Sequence, residues 1–160
     1  MYLSQDYRDI IELFNINGVQ YLLVGAYAMT MFGYARSTYD IDLWISKSEE
    51  NIEKTIISLS EFGVPFDIDP SDLKAPYSII QIGVAPNRID ILTDIDGVGF
   101  DEAWGDREVK KLGDLDIFVA SLDTLIKNKE ASPRSKDKID VIELKSLKSD
   151  LNESNGVKNG

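Results

Sequence analysis

The sequence predicts an α+β domain: a small mixed, partly antiparallel sheet with helices packed on it. Three observations carry this. Short strand-like segments interleave with segments of helical periodicity along the whole chain. Two pairs of strand segments are joined by tight turns, at Pro86-Asn87 and Gly113-Asp114, which makes those neighbours antiparallel. After residue 120 two helical segments follow one another, 121–130 and 133–148.

In chain order, Tyr7, Ile10, Ile11 and Phe14 recur at helical spacing over residues 5–16, and Asn17-Gly18 ends that helix. Residues 19–24 read as a buried strand. Gly25 permits a sharp turn into a short helical segment from Tyr27 to Phe32, closed by Gly33. Residues 40–45 alternate strictly, so Asp40, Asp42 and Trp44 face one way and Ile41, Leu43 and Ile45 the other. Ser48, Glu49 and Glu50 start a helix that runs through Phe62. Residues 64–76, with three prolines, read as loop. Strands are expected at 78–84, 88–93, 108–112 and 115–120, with a short helix from Phe100 to Trp104. Two helices follow, 121–130 and 133–148, the second with Ser132 as N-cap and Pro133 as its first residue. Residues 1–150 are expected to form one domain and 151–160, poor in apolar residues, a disordered tail.

Composition excludes several chemistries. The 160 residues suit one domain, long enough to bury a real core. There is no cysteine, which removes disulfides, thiolate zinc sites and cysteine nucleophiles. There is no histidine, which removes Ser-His-Asp catalysis and imidazole ligands. Any metal is therefore a hard, oxygen-bound one such as Mg2+ or Mn2+. The stretch 21–35, 15 uncharged residues interrupted by Gly25 and Gly33, is shorter than the roughly 20 that a membrane-spanning helix needs, and the uncharged residues 13–20 before it include Asn15, Asn17, Gly18 and Gln20. Residues 1–6 carry no basic n-region, and the expected location is the cytoplasm.

Net charge is −11 and unevenly spread. Residues 1–120 hold 9 Lys/Arg against 21 Asp/Glu, while residues 121–148 hold 7 against 5. Such an acidic body repels duplex DNA at long range. The basic stretch can still meet a compact polyanion such as a triphosphate, or simply be a solvated helix face.

The chemistry concentrates at Asp40 and Asp42. Residues i and i+2 of a strand share a face, so these carboxylates stand side by side. On a strand otherwise apolar, that pair calls for a cation. Asp90 sits in a similar alternating setting, between Ile89 and Ile91. Three aspartates on neighbouring strands can hold two metal ions, which clamp the attacking and leaving oxygens of an in-line phosphoryl or nucleotidyl displacement. The competing arrangement leaves Asp40 in a turn, pairs Asp42 with Arg36 or Arg88, and exposes Asp90. Gly25-Ala26 lies at a strand-to-helix junction 15 residues before Asp40, where backbone N–H groups can cradle phosphate.

The stretch from Val24 to Met29, then Gly33 to Ile45, resembles the core motif of the DNA polymerase beta-like nucleotidyltransferase superfamily. That motif is Gly-Gly or Gly-Ser, a short spacer, then Asp-x-Asp on a strand. The match is closer still to small bacterial nucleotidyltransferases related to the toxins of abortive-infection toxin–antitoxin pairs. Their Arg-x-Thr-x-Asp-x-Asp string is matched by Arg36, Thr38, Asp40 and Asp42, and their third carboxylate strand by residues 88–93. Their C-terminal Leu-Ile-x-x-Lys-x-Ala and Arg-x-Lys-Asp strings are matched by Leu125 to Ala131 and by Arg134 to Asp137. The resemblance implies a nucleotidyltransferase fold with C-terminal helices. It also implies magnesium-dependent transfer of a nucleoside monophosphate from an NTP to an unidentified acceptor (small molecule, protein or RNA), releasing pyrophosphate.

By the same resemblance, Asp40, Asp42 and Asp90 are the catalytic metal ligands. Gly25, Ala26, Arg36, Thr38 and Lys129 are nucleotide-binding. The second residue of the turn, often Gly or Ser in the family, is Ala26, so a hydroxyl contact to phosphate is lost while the backbone N–H stays. That departure favours the alternative, a non-catalytic nucleotide-binding or interaction module with an antitoxin-like protein partner. A manganese-dependent glycosyltransferase also uses Asp-x-Asp but needs a larger nucleotide-binding domain. Arg134 and Asp137 also read as an ordinary i, i+3 helix pair, and Trp44 and Trp104 as packing residues. Asp94 to Gly97 reads as a turn rather than a calcium loop.

Overall fold

Sheet and helices follow the alternation of the sequence. The chain runs α1 (Gln5–Asn17), β1 (Tyr21–Val24), α2 (Gly25–Met31), β2 (Asp40–Ile45), α3 (Glu49–Phe62), α4 (Pro70–Lys74), β3 (Ile79–Ile82), β4 (Arg88–Leu92), α5 (Phe100–Gly105), β5 (Glu108–Leu112), β6 (Leu115–Val119), α6 (Leu122–Glu130) and α7 (Ser135–Asn159). The structure is a computed structural model. It describes residues 3–34 and 37–159, with side chains for all of these except 135, 136 and 154–159.

One sheet has the order β3-β4-β2-β1-β6-β5. β1 lies antiparallel to β2 and parallel to β6, and β2 lies parallel to β4. The hairpins β3–β4 and β5–β6 close the two edges. This is the mixed, partly antiparallel sheet the sequence predicts. β1 is buried at all four residues because it is central and covered on both faces. Tyr7, Ile10, Ile11 and Phe14 of α1 are the apolar stripe that joins this core.

Register places the site. Asp42 of β2 stands opposite Asp90 of β4, and Asp40 opposite Arg88. On its other side Asp42 stands opposite Val24, the last residue of β1. The chain turns at the next residue, Gly25, so that turn sits directly beside Asp42.

The structure departs from the sequence reading at four places. Residues 64–76 are not all loop: Asp69 caps α4 through a capping box, and Pro70 occupies the first turn, where its missing N–H costs nothing. β1 starts at Tyr21; at Gln20 the Asn51 side chain bonds both the N–H and the carbonyl, and the carbonyl also accepts the Ser46 N–H at 3.3 Å. α7 starts at Ser135, not 133: ahead of it the Ser132 hydroxyl accepts the Arg134 N–H at 3.3 Å in a short turn and donates to the Asp137 carboxylate at 2.5 Å. α7 also continues past 148 to Asn159, through residues none of which is proline. Among the described residues no helix is long and apolar enough to cross a membrane.

Asn51 is the buried polar staple at the far end of β2. Its Oδ1 accepts from the Gln20 N–H at 2.6 Å, and its Nδ2 donates to the carbonyls of Gln20 at 3.1 Å and Ser46 at 2.8 Å. Asn51→Ala leaves three backbone groups without these partners. It is expected to cost about 2–4 kcal/mol, which lowers Tm by roughly 5–10 °C for a domain of this size. Thermal unfolding followed by circular dichroism measures it.

Candidate active site

β2 and β4 bring three carboxylates together. One oxygen from each of Asp40, Asp42 and Asp90 lies within 4.8 Å of the other two. At that separation each pair of unit charges repels by about 3–4 kcal/mol at an effective dielectric near 20. The structure answers part of this charge with Arg88. Its Nη2 donates to Asp40 Oδ2 at 2.6 Å and to Asp90 Oδ2 at 3.1 Å, and its Nε donates to Asp90 Oδ1 at 3.0 Å. Thr38 Oγ1 lies 3.0 Å from the Asp40 carbonyl and 3.3 Å from its Oδ1.

Asp42 is left over. Arg88 binds the two aspartates beside it and not Asp42 itself. Burial, then the charges of Asp40 and Asp90, push the Asp42 carboxyl up to about 7, against the weaker pull of Lys129 and Arg88. The field of the cluster extends to Tyr7, whose hydroxyl donates to the Pro86 carbonyl at 3.1 Å. Burial, then the Asp40 charge, push that phenol up to about 12. The donor set consists of hard carboxylate oxygens clustered at one point, with one carboxylate, Asp42, in no ion pair among the described residues. These residues fit a divalent ion of the magnesium or manganese type.

Gly25 is required at its position for two reasons. Its φ is +74°, and a Cβ there would stand 2.2 Å from Asp42 Oδ2. The turn therefore brings bare backbone against the carboxylate, and Gly25 and Ala26 line the cleft above it. That cleft, about 440 Å3 in volume, is also lined by Thr38, Asp40, Asp42 and Arg88, and on its far side by Lys129 and Arg134.

The far side is the corner between α6 and α7. Lys129 is buried, with Nζ 3.3 Å from Asp137 Oδ1 and 3.9 Å from Asp140 Oδ2. Asp137 is fully buried and also binds Ser132 Oγ at 2.5 Å and Arg134 Nε at 2.9 Å. Burial alone would raise the Asp137 carboxyl; the Ser132 hydroxyl, Lys129 and Arg134 outweigh it and hold the group down at about 2.

Of the residues singled out from sequence, Gly25, Ala26, Thr38, Asp40, Asp42 and Lys129 share one cleft, and Asp90 completes the carboxylate cluster. Arg36 lies outside the described residues. Among the described residues the competing arrangement of the acids does not occur: Asp40 is in β2, Asp90 is buried, and Arg88 pairs with Asp40 and Asp90 instead of Asp42. Sequence reasoning missed this role of Arg88, although its place two residues before Asp90 on one strand face signals it. It also left Arg134 as a plain helix pair with Asp137. The pair exists, and Arg134 reaches the cleft as well. Trp44 and Trp104 pack: Trp44 is buried, and Trp104 stacks on Phe100 beneath Arg107. Asp94 caps the Tyr77 N–H and pairs with Lys47, as a turn residue does.

Two outcomes follow from this geometry. Gly25→Ala is expected to lower stability by about 1–3 kcal/mol, from the left-handed backbone and the displaced Asp42. Denaturant unfolding measures the loss. Asp137 has a depressed folded-state pKa, so its contribution to stability is complete above its ordinary value of 3.8 and is lost as pH falls toward about 2. The stability gap between wild type and Asp137→Asn should therefore close across that window, as read by urea unfolding at a series of pH values.

No family model and no curated protein sequence matches the chain. Three solved structures share its fold. A candidate nucleotidyltransferase from Thermotoga maritima superposes with a TM-score of 0.55 at 19% identity, over 91% of this chain and 90% of that one. The lincosamide antibiotic adenylyltransferase LnuA, with lincomycin bound, gives 0.59 at 18% identity, over 91% and 98%. ANT(2″)-Ia in complex with adenylyl-2″-tobramycin gives 0.56 at 15% identity, over 90% and 86%. The chain thus has the nucleotidyltransferase fold, as the motif resemblance implies, and it spans nearly the whole of each of these proteins.

Proposed function

We propose that this protein is a metal-dependent nucleotidyltransferase that moves a nucleoside monophosphate from an NTP to an acceptor, releasing pyrophosphate. One observation carries the reading. Three aspartates from two adjacent strands converge beneath a glycine turn, in a cleft whose opposite wall holds a buried lysine. An ordinary solvated acidic surface has no such construction. Nucleotidyl transfer needs it, because anionic phosphate must be brought to a carboxylate cluster.

In this reading Asp40, Asp42 and Asp90 hold Mg2+ or Mn2+. When bound, the ion supplies positive charge that stabilises the developing negative charge on the α-phosphate and favours deprotonation of the attacking hydroxyl. The backbone at Gly25 and Ala26 binds the triphosphate, with Thr38 and Arg36 at the same edge. Arg88 exchanges its bonds to Asp40 and Asp90 for contacts at the cleft mouth. The acceptor oxygen bonds to the α-phosphorus, and the bond from that phosphorus to the bridging oxygen breaks. Pyrophosphate leaves with the electron pair, and the acceptor's proton passes to Asp90. Lys129 offsets charge on the leaving group.

The two antibiotic-bound neighbours make a small molecule the first acceptor class to test, ahead of a protein hydroxyl or an RNA end. An antitoxin-like protein partner belongs to the toxin-related version of the same proposal. The bridging of Asp40 and Asp90 by Arg88, together with Ala26 in the turn, favours a second reading in which the protein binds nucleotide without turning it over.

Asp40→Asn and Asp42→Asn are expected to lower the rate of NTP-dependent labelling of a mixed acceptor pool by at least roughly a thousandfold. Chelation by EDTA should abolish it, and Mg2+ or Mn2+ should restore it. Labelling by the four α-32P NTPs reads the rate. Undiminished turnover in both variants would sink the mechanism. Metal-dependent NTP binding without turnover on any acceptor class would establish the second reading.

A further inference from the structure

The corner between α6 and α7 is built around a buried anion that makes no contact with the aspartate cluster. Asp137 has no solvent exposure, and its two oxygens are saturated by three groups from three short steps of chain: Lys129, Ser132 and Arg134. Two of these are cations, and both reach the cleft opposite Asp40 and Asp42. A lone lysine would sweep a wide arc on its four-carbon stem, and a lone exposed arginine would lie in solvent. Here Lys129 is held at a fixed point with only 8% exposure. Arg134 donates Nε to Asp137, and the terminal nitrogens of its guanidinium have no partner among the described residues. Asp140 adds a second carboxylate 3.9 Å from Lys129. The base of the corner is fixed separately: Asn128 Nδ2 donates to the Asp96 carbonyl at 3.0 Å, and a Cβ at Gly97 would stand 2.7 Å from Ala131 Cβ.

We infer that Asp137 is a positioning residue which presents Lys129 and Arg134 together as a preassembled clamp for the diphosphate end of the triphosphate. The inference rests on the nucleotidyltransferase reading and goes beyond it. It assigns Arg134 as a second contact to the polyphosphate and makes Asp137 necessary for a cleft it does not itself line. The physical reason is preorganisation. Two cations ordered before the ligand arrives lose little side-chain entropy on binding, and a charge-assisted bond to phosphate is then stronger. A clamp of this kind discriminates by chain length. It favours triphosphate and pyrophosphate and is indifferent to a monophosphate, whose single phosphate lies at the aspartate end.

The test is equilibrium titration with Mg2+ present, using each of the four NTPs, inorganic pyrophosphate and the four nucleoside monophosphates. The proteins are wild type, Lys129→Met, Asp137→Asn, Asp137→Glu, Arg134→Gln, the double variant Lys129→Met/Asp137→Asn, and Asp42→Asn. Lys129→Met is expected to weaken NTP and pyrophosphate binding by roughly tenfold or more, and Arg134→Gln by roughly threefold to tenfold. Asp137→Asn should weaken both ligands in the same direction, and in the Lys129→Met background it should add no more than the loss that Arg134→Gln causes, since Asp137 acts through those two cations. Asp137→Glu should recover part of the loss. Monophosphate binding should stay within about twofold in all of these.

A merely structural Asp137 would lower Tm and leave affinity and chain-length preference unchanged in the folded protein, and that result overturns the inference. Equal losses for monophosphate and triphosphate overturn it too. Should Asp137→Asn fail to fold, Ser132→Ala with Arg134→Gln removes two of the three bonds at half-buried or exposed positions; unchanged pyrophosphate affinity there also overturns it. If Asp42→Asn abolishes metal-dependent NTP binding while the corner variants do not differ from wild type, the clamp alone is wrong. If wild type binds no NTP, the nucleotidyltransferase reading falls and the clamp with it.

Discussion

Repulsion among Asp40, Asp42 and Asp90 is the constraint on which the local structure turns. Three carboxylates with oxygens within 4.8 Å of one another destabilise any fold that gathers them, unless cations do the compensating. The sheet gathers them unavoidably. A spacing of two residues puts Asp40 and Asp42 on one face, and the parallel register with β4 puts Asp90 beside Asp42. Hydrophobic residues on the reverse face, Ile41, Leu43, Ile89 and Ile91, are fully or almost fully buried and pin that register. A one-residue slip would bury the acids and expose the isoleucines. The core thus enforces the charge concentration, which serves no packing purpose of its own.

Compensation is deliberately incomplete in its geometry. Arg88 answers Asp40 and Asp90 and leaves Asp42, the middle acid, next to a bare glycine turn. A side chain at position 25 would close the gap between turn and carboxylate; glycine keeps it open to ligand. The carboxyl that burial and its neighbours push up to about 7 is the one the glycine turn stands against. A proton can satisfy Asp42 only at the cost of the charge that makes the cluster a metal site.

Much of this was legible in the sequence, and the boundary of what was legible has a physical reason. Strict alternation at residues 40–45 and 88–93 gave the strands and the acid-bearing face, because a period of two is a local property. Helix α1 was legible from its stripe and α3 from Ser48 and the two acids after it; the structure adds Ser4 as the cap of α1. What was not legible depends on long-range register or on competition for a side chain. Arg88 was seen as a partner for Asp42, but only the pairing of β2 with β4 decides that it spans Asp40 and Asp90. Ser132-Pro133 has the composition of a helix start. The hydroxyl accepts the Arg134 N–H and donates to Asp137, and α7 begins only at Ser135. α4 was hidden inside a proline-rich stretch because proline breaks a helix everywhere except its first turn.

The charge map ties these parts into one design. An acidic body of net −12 over residues 1–120 would turn away a free polyphosphate, and the carboxylate cluster would do so most strongly. The cleft overcomes this by opposing its acids with cations from a different element, Lys129 of α6 and Arg134 at the start of α7, across a gap of about 440 Å3. Those cations cannot simply pair with Asp40 and Asp42, because Asp137 already holds them on their own side. On the role inferred for Asp137, its loss would leave Lys129 beside Asp140 alone, 3.9 Å away, and less firmly held from the acids of the cleft. A buried carboxylate behind one wall therefore keeps the two walls apart. That separation of charge gives the cleft one end for a cation and another for an anion.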